Sequence, residues 1–394
     1  MGLAGHDMLI GQEVTVLGGG IGGLAAALAL ARRGAQVSVL EQAAEITEVG
    51  AGIQISPNGW RVLQALDVAD AVAALSPRSE AVRLRDFRRG AAVFTLRFGD
   101  GDPPWHLVHR ADLVGVLADA ARKSGVTIRL GTRVTGVVPQ PMGTELTLAD
   151  GTRETHGLTV AADGLHSAAR GALHRKTQAF FTGQVAWRCT IPVDTPIAPE
   201  AHVFMGPGRH LVRYPLRDRR QVNVVAVEER DGWAAEGWHH RDDPENMVRA
   251  FVDFCPEVRA LLERATEVFV WGLFRHPVAS SWQDHRLALL GDAAHPTLPF
   301  LAQGANMALE DAYVLARCLA EDSDTRAALA RYEALRRPRC ARIVQAANDN
   351  ATNYHLRPGP MRFAAHSALR AAARFAPHAV TGRFDWVHRF DVTA

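Results

Sequence analysis

The sequence predicts an α/β protein in which a nucleotide-binding unit, assembled from discontinuous segments, carries an inserted, mainly antiparallel β-sheet and ends in a C-terminal helix. Three observations predict this. A glycine turn, Gly18-Gly-Gly-Ile-Gly-Gly23, sits between a β-rich run and an Ala/Leu-rich helix. A second apolar strand, Leu287-Ala-Leu-Leu290, runs into Gly291-Asp292 and a Pro/Gly-rich loop. Between the two, runs of alternating polarity with turn signals interrupt the β–α rhythm twice.

The N-terminal unit reads in order. Glu13-Val-Thr-Val-Leu17 is a short strand, Ile21 to Arg33 a helix ended by Gly34, and Gln36-Val-Ser-Val-Leu40 a second strand that closes on Glu41. In such a Rossmann-like βαβ unit Gly18 permits the tight turn, Gly20 lets the backbone approach a pyrophosphate and Gly23 allows close helix-to-strand packing. The helix N-terminus offers amides and a favourable dipole to phosphates. Glu41 stands where an acid can accept hydrogen bonds from a ribose diol. This unit alone does not separate NAD from FAD.

Beyond residue 75 the pattern changes. Ala81 to Phe87 and Ala91 to Phe98 read as a hairpin around Arg89-Gly90, and Ala111 to Ser124 as an amphipathic helix. Leu158 to Ala162 is a buried strand ending at Asp163-Gly164. Further strands fall at Ala201–Met205, His210–Leu216 and Gln221–Glu228. The expected division is a nucleotide domain of residues 1–75, 106–175 and 286–360, a substrate domain of 76–105 and 176–285, and a helical segment of 361–394, with the ligand cleft between the first two. The basic, amphipathic tail from Pro360 is expected to dock on its own domain.

Composition narrows the function. With 394 residues, 47% of them hydrophobic, the chain can bury a large core. Lys+Arg 44 against Asp+Glu 42 lacks the footprint of a nucleic-acid binder. The apolar run Ile21 to Ala31 is too short to span a bilayer and no charged leader precedes it, so a cytoplasmic protein without a membrane span is expected. Cys189, Cys255, Cys318 and Cys340 are scattered and read as buried free thiols. No metal is expected: His239-His240 and His295 read as solvated or capping histidines, and Glu310-Asp311 as exposed charge.

Together, Gly18 to Gly23 with Glu41, Asp163-Gly164 with Ser167 and Arg170, and Gly291-Asp292 with Gln303-Gly304 resemble the three fingerprints of the single-component FAD-dependent aromatic hydroxylases. The likeness extends through Gly50-Ala-Gly-Ile-Gln-Ile-Ser-Pro-Asn58, His109-Arg110-Ala-Asp-Leu113 and Phe384-Asp-Trp386, and is greatest to the branch that acts on salicylate, 3-hydroxybenzoate and 6-hydroxynicotinate. The resemblance implies non-covalently bound FAD, with Gly18, Gly20 and Gly23 at its pyrophosphate and Glu41 with Gln42 at the adenosine ribose. It implies Arg110 reaching the cofactor, Asp163 linked with both FAD and the nicotinamide cofactor, Asp292 on the ribityl chain, and Pro299, Gly304, Ala305 and Asn306 along the flavin ring. NADH or NADPH would visit as a transient reductant. The implied reaction is NAD(P)H- and O2-dependent hydroxylation of a small electron-rich aromatic acid through a flavin hydroperoxide, by a monomer or homodimer.

The protein's share of that chemistry is to exclude water, orient the ring and help a phenol lose its proton. Period-2 alternation puts His210, Val212 and Tyr214 on one face of their strand, and Leu211 and Arg213 on the other. His210 and Tyr214, with Cα atoms ~13 Å apart, match the spacing of the family's active-site pair, which implies His210 as base or phenol-orienting group and Tyr214 as a substrate contact. Gln54, Trp105 and Gln303 are further substrate candidates. Arg83, Arg85, Arg188 and Arg213 are all available to an aromatic carboxylate. Alternatives stay open: hydroxylation of a larger quinone precursor or natural product, decarboxylative hydroxylation, or a non-catalytic flavoprotein. A halogenase is disfavoured, because Trp187-Arg-Cys-Thr-Ile-Pro192 has Cys189 where that signature has a second Trp.

Overall fold

The computed structural model describes residues 9–46, 52–99, 101–174, 179–230, 232, 240–375 and 382–394. Gly50, Ala51 and His239 lie outside the described residues. The chain opens with the expected βαβ unit: β1 (Glu13–Leu17), α1 (Ile21–Ala31) and β2 (Gln36–Leu40). Helix α1 is apolar all round, and Leu24 through Leu30 have no solvent exposure, the pattern of a helix enclosed by other layers. Next come β3 (Gly52–Ile55), α2 (Pro57–Ala65), α3 (Ala69–Leu75), the hairpin β4 (Ala81–Asp86) and β5 (Ala92–Arg97), and β6 (His106–His109). Helix α4 (Arg110–Lys123) buries Leu113, Val114, Leu117, Ala118 and Ala121, the stripe its spacing predicts.

Strand β7 (Thr127–Arg129), a meander of β8 (Val134–Gln140), β9 (Gly143–Leu148) and β10 (Arg153–His156), then β11 (Leu158–Ala161) and α5 (Ala168–Leu173) follow. The inserted sheet brings β12 (Phe180–Pro192), β13 (Glu200–Gly206), β14 (Arg209–Leu216), β15 (Gln221–Glu229) and β16 (Arg241–Asp242). Helices α6 (Pro244–Ala250) and α7 (Pro256–Leu262) precede β17 (Val268–Arg275), β18 (Gln283–Asp284) and β19 (Leu287–Leu289). Three long helices close the chain: α8 (Gly304–Glu321), α9 (Thr325–Tyr354) and α10 (Pro360–Phe375).

Two large sheets result. One runs β18-β19-β11-β1-β2-β7 and is parallel apart from the β18 edge. Its strands β1, β11 and β19 are almost wholly apolar and buried because helix α1 packs on one side of the sheet and the β8–β10 meander meets β1 and β11 as well. The other, β16-β17-β12-β15-β14-β13-β4-β5, is antiparallel except where β13 meets β4. Trp187, Phe204, Leu211, Met247, Phe251 and Phe254 form a core between one face of this sheet and α6–α7. The opposite face, around Val225, Val227 and Trp271, turns towards Leu298 and Phe300 of the loop before α8.

The charges of α8 depart from expectation. Glu310 and Asp311 are fully buried, and so is His295. Helix α9 faces them with Arg336 and Arg339, one turn apart. Arg336 lies 2.6 Å from Glu310 and 2.7 Å from Asp311, and Arg339 lies 2.8 Å from Glu310. His295 meets Asp311 at 2.5 Å, and Asn58 donates to Glu310 at 2.6 Å. Burial alone would raise both carboxyls, but the facing cations more than offset it: Asp311 falls to about 2 and Glu310 stays below its ordinary value. Cys340 Sγ joins His295 and Asp311 within 4.8 Å, yet the Arg336 guanidinium in the same cluster already balances the charge a cation would need.

The tail folds back as expected. Arg339 donates to the Trp386 and Val387 carbonyls and Arg317 to that of Val392, while Arg342 stacks on Trp386 at 3.8 Å. Helix α10 docks on the β4–β5 hairpin, with Arg362 on Asp86. All four cysteines are buried and free. Among the described residues no helix is long and apolar enough to cross a membrane. Arg336→Ala leaves two buried carboxylates under-compensated and is expected to cost about 3–5 kcal/mol in urea unfolding. Arg122→Ala, which removes only an exposed pair with Asp119, should cost at most about 0.5 kcal/mol. Equal costs would contradict the structural role of the cluster.

Candidate active site

The glycine turn is shaped by contact as much as by conformation. Gly18 has φ +96°, its amide donates to the Leu40 carbonyl at 2.8 Å, and a Cβ there would stand 2.5 Å from the Ala162 carbonyl oxygen. A Cβ on Gly23 would run into the Gly18 carbonyl oxygen. At Gly20 it would meet nothing within 4 Å, because that residue faces an open cleft. Gly20 is also the N-cap of α1 and offers no side-chain cap, so the first amides of the helix remain available to the cleft. Glu41 accepts the Gly19 amide at 2.5 Å and the Ala43 amide at 2.8 Å, tying the turn to the end of β2.

The same cleft receives the start of α8. Gln303, its N-cap, makes no side-chain cap bond, and Gly304 and Ala305 line the opening with Pro299 and Ala302. Ala302 is held in the left-handed region at φ 52° while its carbonyl accepts Asn306 Nδ2 at 2.7 Å. Asp292 opens onto the cleft, so solvent reaches it, but protein surrounds it otherwise. Burial pushes its carboxyl up, with His295 and Arg110 pulling the other way. Arg110 lines the cleft from the first residue of α4. Two helix N-termini and an arginine therefore converge on one cleft that is open to solvent.

The facing wall is the large antiparallel sheet. His210, Val212 and Tyr214 line the cleft from one face of β14, and Val225 from β15 joins them. The alternation is as expected: Leu211 enters the core beneath α6–α7, and Arg213 pairs with Glu257 on the outer face. Of the four candidate arginines, Arg83 is held by Glu200 at 2.5 Å and Arg85 by Glu257 at 2.7 Å. Arg188 alone among the four lines the cleft, stacked on Trp271 at 4.7 Å. Burial lowers it to about 10, so it remains a cation at neutral pH. Burial raises the Tyr214 hydroxyl and keeps it neutral. Burial, with His355 beside it, drives His210 well below 6.5, leaving a neutral imidazole. Its Nδ1 lies 2.7 Å from His355 Nε2.

The β3–β6 ribbon joins the two walls. A Cβ on Gly52 would lie 2.5 Å from the Tyr214 ring, and the Gly52 amide donates to Asn223 Oδ1 at 2.7 Å. Only a residue without a side chain permits that approach. Gln54 lines the cleft, and its Oε1 accepts the Trp105 indole at 3.1 Å. Trp105 stands behind it, stacked on Phe98, rather than on the cavity wall.

Three other predicted groups turn inward. Gln303 is 1% exposed, and its amide bonds Ser56 Oγ at 2.9 Å and Asn58 Nδ2 at 3.0 Å. Asn306 bonds the Ser56 amide and the Gln54 carbonyl, each at 3.0 Å. Asp163 accepts the Ala168 amide at 2.9 Å at the head of α5, while its neighbours Ala162 and Gly164 line the cleft. Gln42 is exposed. Sequence reasoning missed His355, a single histidine at the end of a long helix with no local pattern around it.

A sequence profile described as FAD binding domain matches residues 12–347. A 3-amino-4-hydroxybenzoate 2-monooxygenase of Streptomyces platensis, PtmB3, is 34% identical over 389 residues, 96% of either chain. A 3-hydroxybenzoate 6-hydroxylase of Klebsiella oxytoca is 34% identical over 360 residues, covering 87% of this chain and 89% of its own. Among solved structures, Klebsiella pneumoniae HpxO complexed with FAD and uric acid superposes with a TM-score of 0.83 at 27% identity, over 95% of this chain and 96% of that one.

Gly23→Ala forces the turn open, whereas a Cβ on Gly115 in α4 meets nothing within 4 Å. FAD titration is expected to show the Gly23 variant at least about tenfold weaker, or ~1.4 kcal/mol, with Gly115→Ala unchanged. Equal affinities would contradict the cradle geometry.

Proposed function

The chain belongs to the single-component FAD-dependent aromatic hydroxylases, and from that premise we propose that it hydroxylates a small phenolic carboxylic acid of the hydroxybenzoate type, amino-substituted rings included. The observation that carries the substrate class is one wall presenting a neutral imidazole, His210, and a half-buried cation, Arg188, towards the loop that begins α8. The names of the two relatives, an aminohydroxybenzoate and a hydroxybenzoate enzyme, agree with it.

The residues present suit FAD. The bare backbone at Gly20 and the uncapped starts of α1 and α8 are what a dinucleotide with a phosphate bridge and an electron-poor ring requires. Gly18, Gly20 and Gly23 would hold the pyrophosphate, Glu41 and Gln42 the ribose, and Arg110 and Asp292 the middle of the cofactor. The segment from Pro299 to Ala305 would lie along the ring, with Asn306 bracing it from behind and Asp163 shaping the edge at Gly164. When bound, FAD accepts a hydride from NADH or NADPH and, with O2, supplies the oxygen atom inserted into the aromatic ring.

The chain's own residues supply the remainder. Arg188 holds the carboxylate and sets which ring carbon faces the flavin loop. His210 accepts the phenol proton at Nε2, since Nδ1 is engaged by His355, and the resulting phenolate has a more electron-rich ring. Tyr214 closes the far end of the pocket as a neutral hydroxyl, with Gln54, braced by Trp105, beside it. Val212 and Val225 keep the reacting face apolar and exclude water. The cofactor half would comprise residues 1–75, 106–175 and 286–360, and the substrate half 76–105 and 176–285, in a cytoplasmic monomer or homodimer.

A panel of phenolic and pyridine carboxylic acids, scored by product mass with NADH and NADPH consumption, tests this directly. The expected result is a product one oxygen heavier from a hydroxybenzoate or aminohydroxybenzoate. A product that has also lost carbon dioxide would reveal the decarboxylating alternative, and turnover confined to larger non-carboxylate aromatics would overturn the Arg188 assignment. Variants separate the roles. His210→Ala should lose about 10²-fold or more in product formation while retaining FAD, and Asp292→Ala should lose FAD. Arg188→Gln should raise KM roughly ten- to a hundredfold for the acid and spare a phenol without a carboxylate. Equal, mild effects in all three would refute the assignments.

A further inference from the structure

A phenol proton accepted by His210, as proposed, would rest on a side chain that is itself almost sealed from solvent and must leave by another route. His210 is 2% exposed, with Phe300 packed edge-on against it at 5.0 Å between ring centres. Tyr354 lies on another side at 5.4 Å, but its hydroxyl points to the Phe300 carbonyl at 3.5 Å, not to the imidazole. The polar contact of the ring is with His355, whose Nε2 is 2.7 Å from His210 Nδ1. His355 is itself buried, and its Nδ1 lies 2.7 Å from Glu229 Oε1. The Glu229 side chain is 45% exposed. Two short hydrogen bonds therefore lead from the cleft wall, through a buried imidazole, to a carboxylate in water.

We propose that His355 and Glu229 form a proton relay that carries the phenol proton from His210 to solvent and returns it when product forms. This rests on the reading of His210 as the base. Both groups act through His210 and neither touches the substrate, so they are positioning residues. The chain brings them together from the end of α9 and the end of β15, and the β13–β14 turn clamps the junction: Gly208 donates to the His355 carbonyl at 3.2 Å and accepts the Glu229 amide at 2.9 Å.

The carboxylate also sets the direction. Ionised Glu229 can only accept, so His355 carries its proton on Nδ1 and offers Nε2 as a lone pair. His210 must then donate from Nδ1, which leaves its Nε2 lone pair for the cleft. When a phenol O–H gives its proton to Nε2, the Nδ1 proton passes to His355 Nε2. The His355 Nδ1 proton passes to Glu229 and from there to water. As far as Glu229 one O–H and two N–H bonds break while two N–H bonds and one O–H bond form; transfer to water then breaks the Glu229 O–H bond and forms one on water, and no electrons are exchanged. Return of the proton to the product phenolate restores both tautomers.

The test follows the proton itself. FAD-loaded enzyme is mixed anaerobically with 3-hydroxybenzoate, or whichever acid of the panel gives product, and a pH-indicator dye and the phenolate absorbance are recorded by stopped flow. Glu229→Gln preserves shape at an exposed position, and His355→Ala opens a small space beside His210. Both should slow proton release at least tenfold with acid affinity and FAD spectrum within twofold of wild type. Added imidazole should restore the rate in His355→Ala, a response that a merely structural staple would not show. Imidazole ¹⁵N shifts in FAD-loaded protein without substrate should place the proton on Nδ1 of both histidines, and a proton on His355 Nε2 would overturn the proposal. Wild-type release rates in both variants, with release lost only in His210→Ala, would also overturn the relay while leaving the base in place. Release unchanged in His210→Ala would instead overturn the base.

Discussion

The buried cluster of Glu310, Asp311, Arg336, Arg339 and His295 is the constraint on which the cofactor cleft depends. Two carboxylates at successive positions of α8 point into the protein, where burial alone would favour their neutral forms. They remain charged because α9 brings two guanidiniums to them, so α8 and α9 are bound to one register. The same groups set the cleft. Asp311 accepts the Gly291 amide at 3.2 Å and His295 at 2.5 Å, which fixes the turn that presents Asp292. Glu310 holds Asn58, which holds Gln303, the first residue before α8. Moving any member misplaces both the carboxylate and the helix start that face the ligand.

Around that anchor the fold divides its labour. The parallel sheet and its helices offer backbone amides and few side chains, as a ligand rich in phosphate and ring nitrogens requires. The antiparallel sheet offers side chains: an imidazole, a guanidinium and a phenol separated by valines. The Gly52 ribbon, pressed against Tyr214, ties the two walls together at one spacing. His210 itself is buried behind the antiparallel wall, and its hydrogen bonds lead away from the cleft through His355 to the exposed Glu229.

What was legible in the sequence was local. The glycine turn, strand β14 with its alternating faces and the start of α8 each rest on a few adjacent residues whose stereochemistry allows little else. What was misread depends on residues far along the chain. Glu310, Asp311 and His295 looked like surface charge because the arginines that bury them lie about one helix later. The inward turn of the Gln303 and Asn306 side chains could not be read locally either, because their partners, Ser56 and Asn58, come from the opposite end of the sequence. That Arg188 lines the cleft while Arg83, Arg85 and Arg213 pair with Glu200 and Glu257 away from it depends on pairing across strands and on α7, which no local pattern reports. The β8–β10 meander and the helices α6 and α7 carry no motif and were not anticipated.

The most direct measurement is a crystal structure of the enzyme with FAD and the phenolic acid it converts. The account predicts the phenol oxygen within about 2.6–3.2 Å of His210 Nε2, the carboxylate on Arg188, and the ring between Val212 and the segment from Pro299 to Ala305. An acid bound with its carboxylate away from Arg188 and its phenol out of reach of His210 would contradict it.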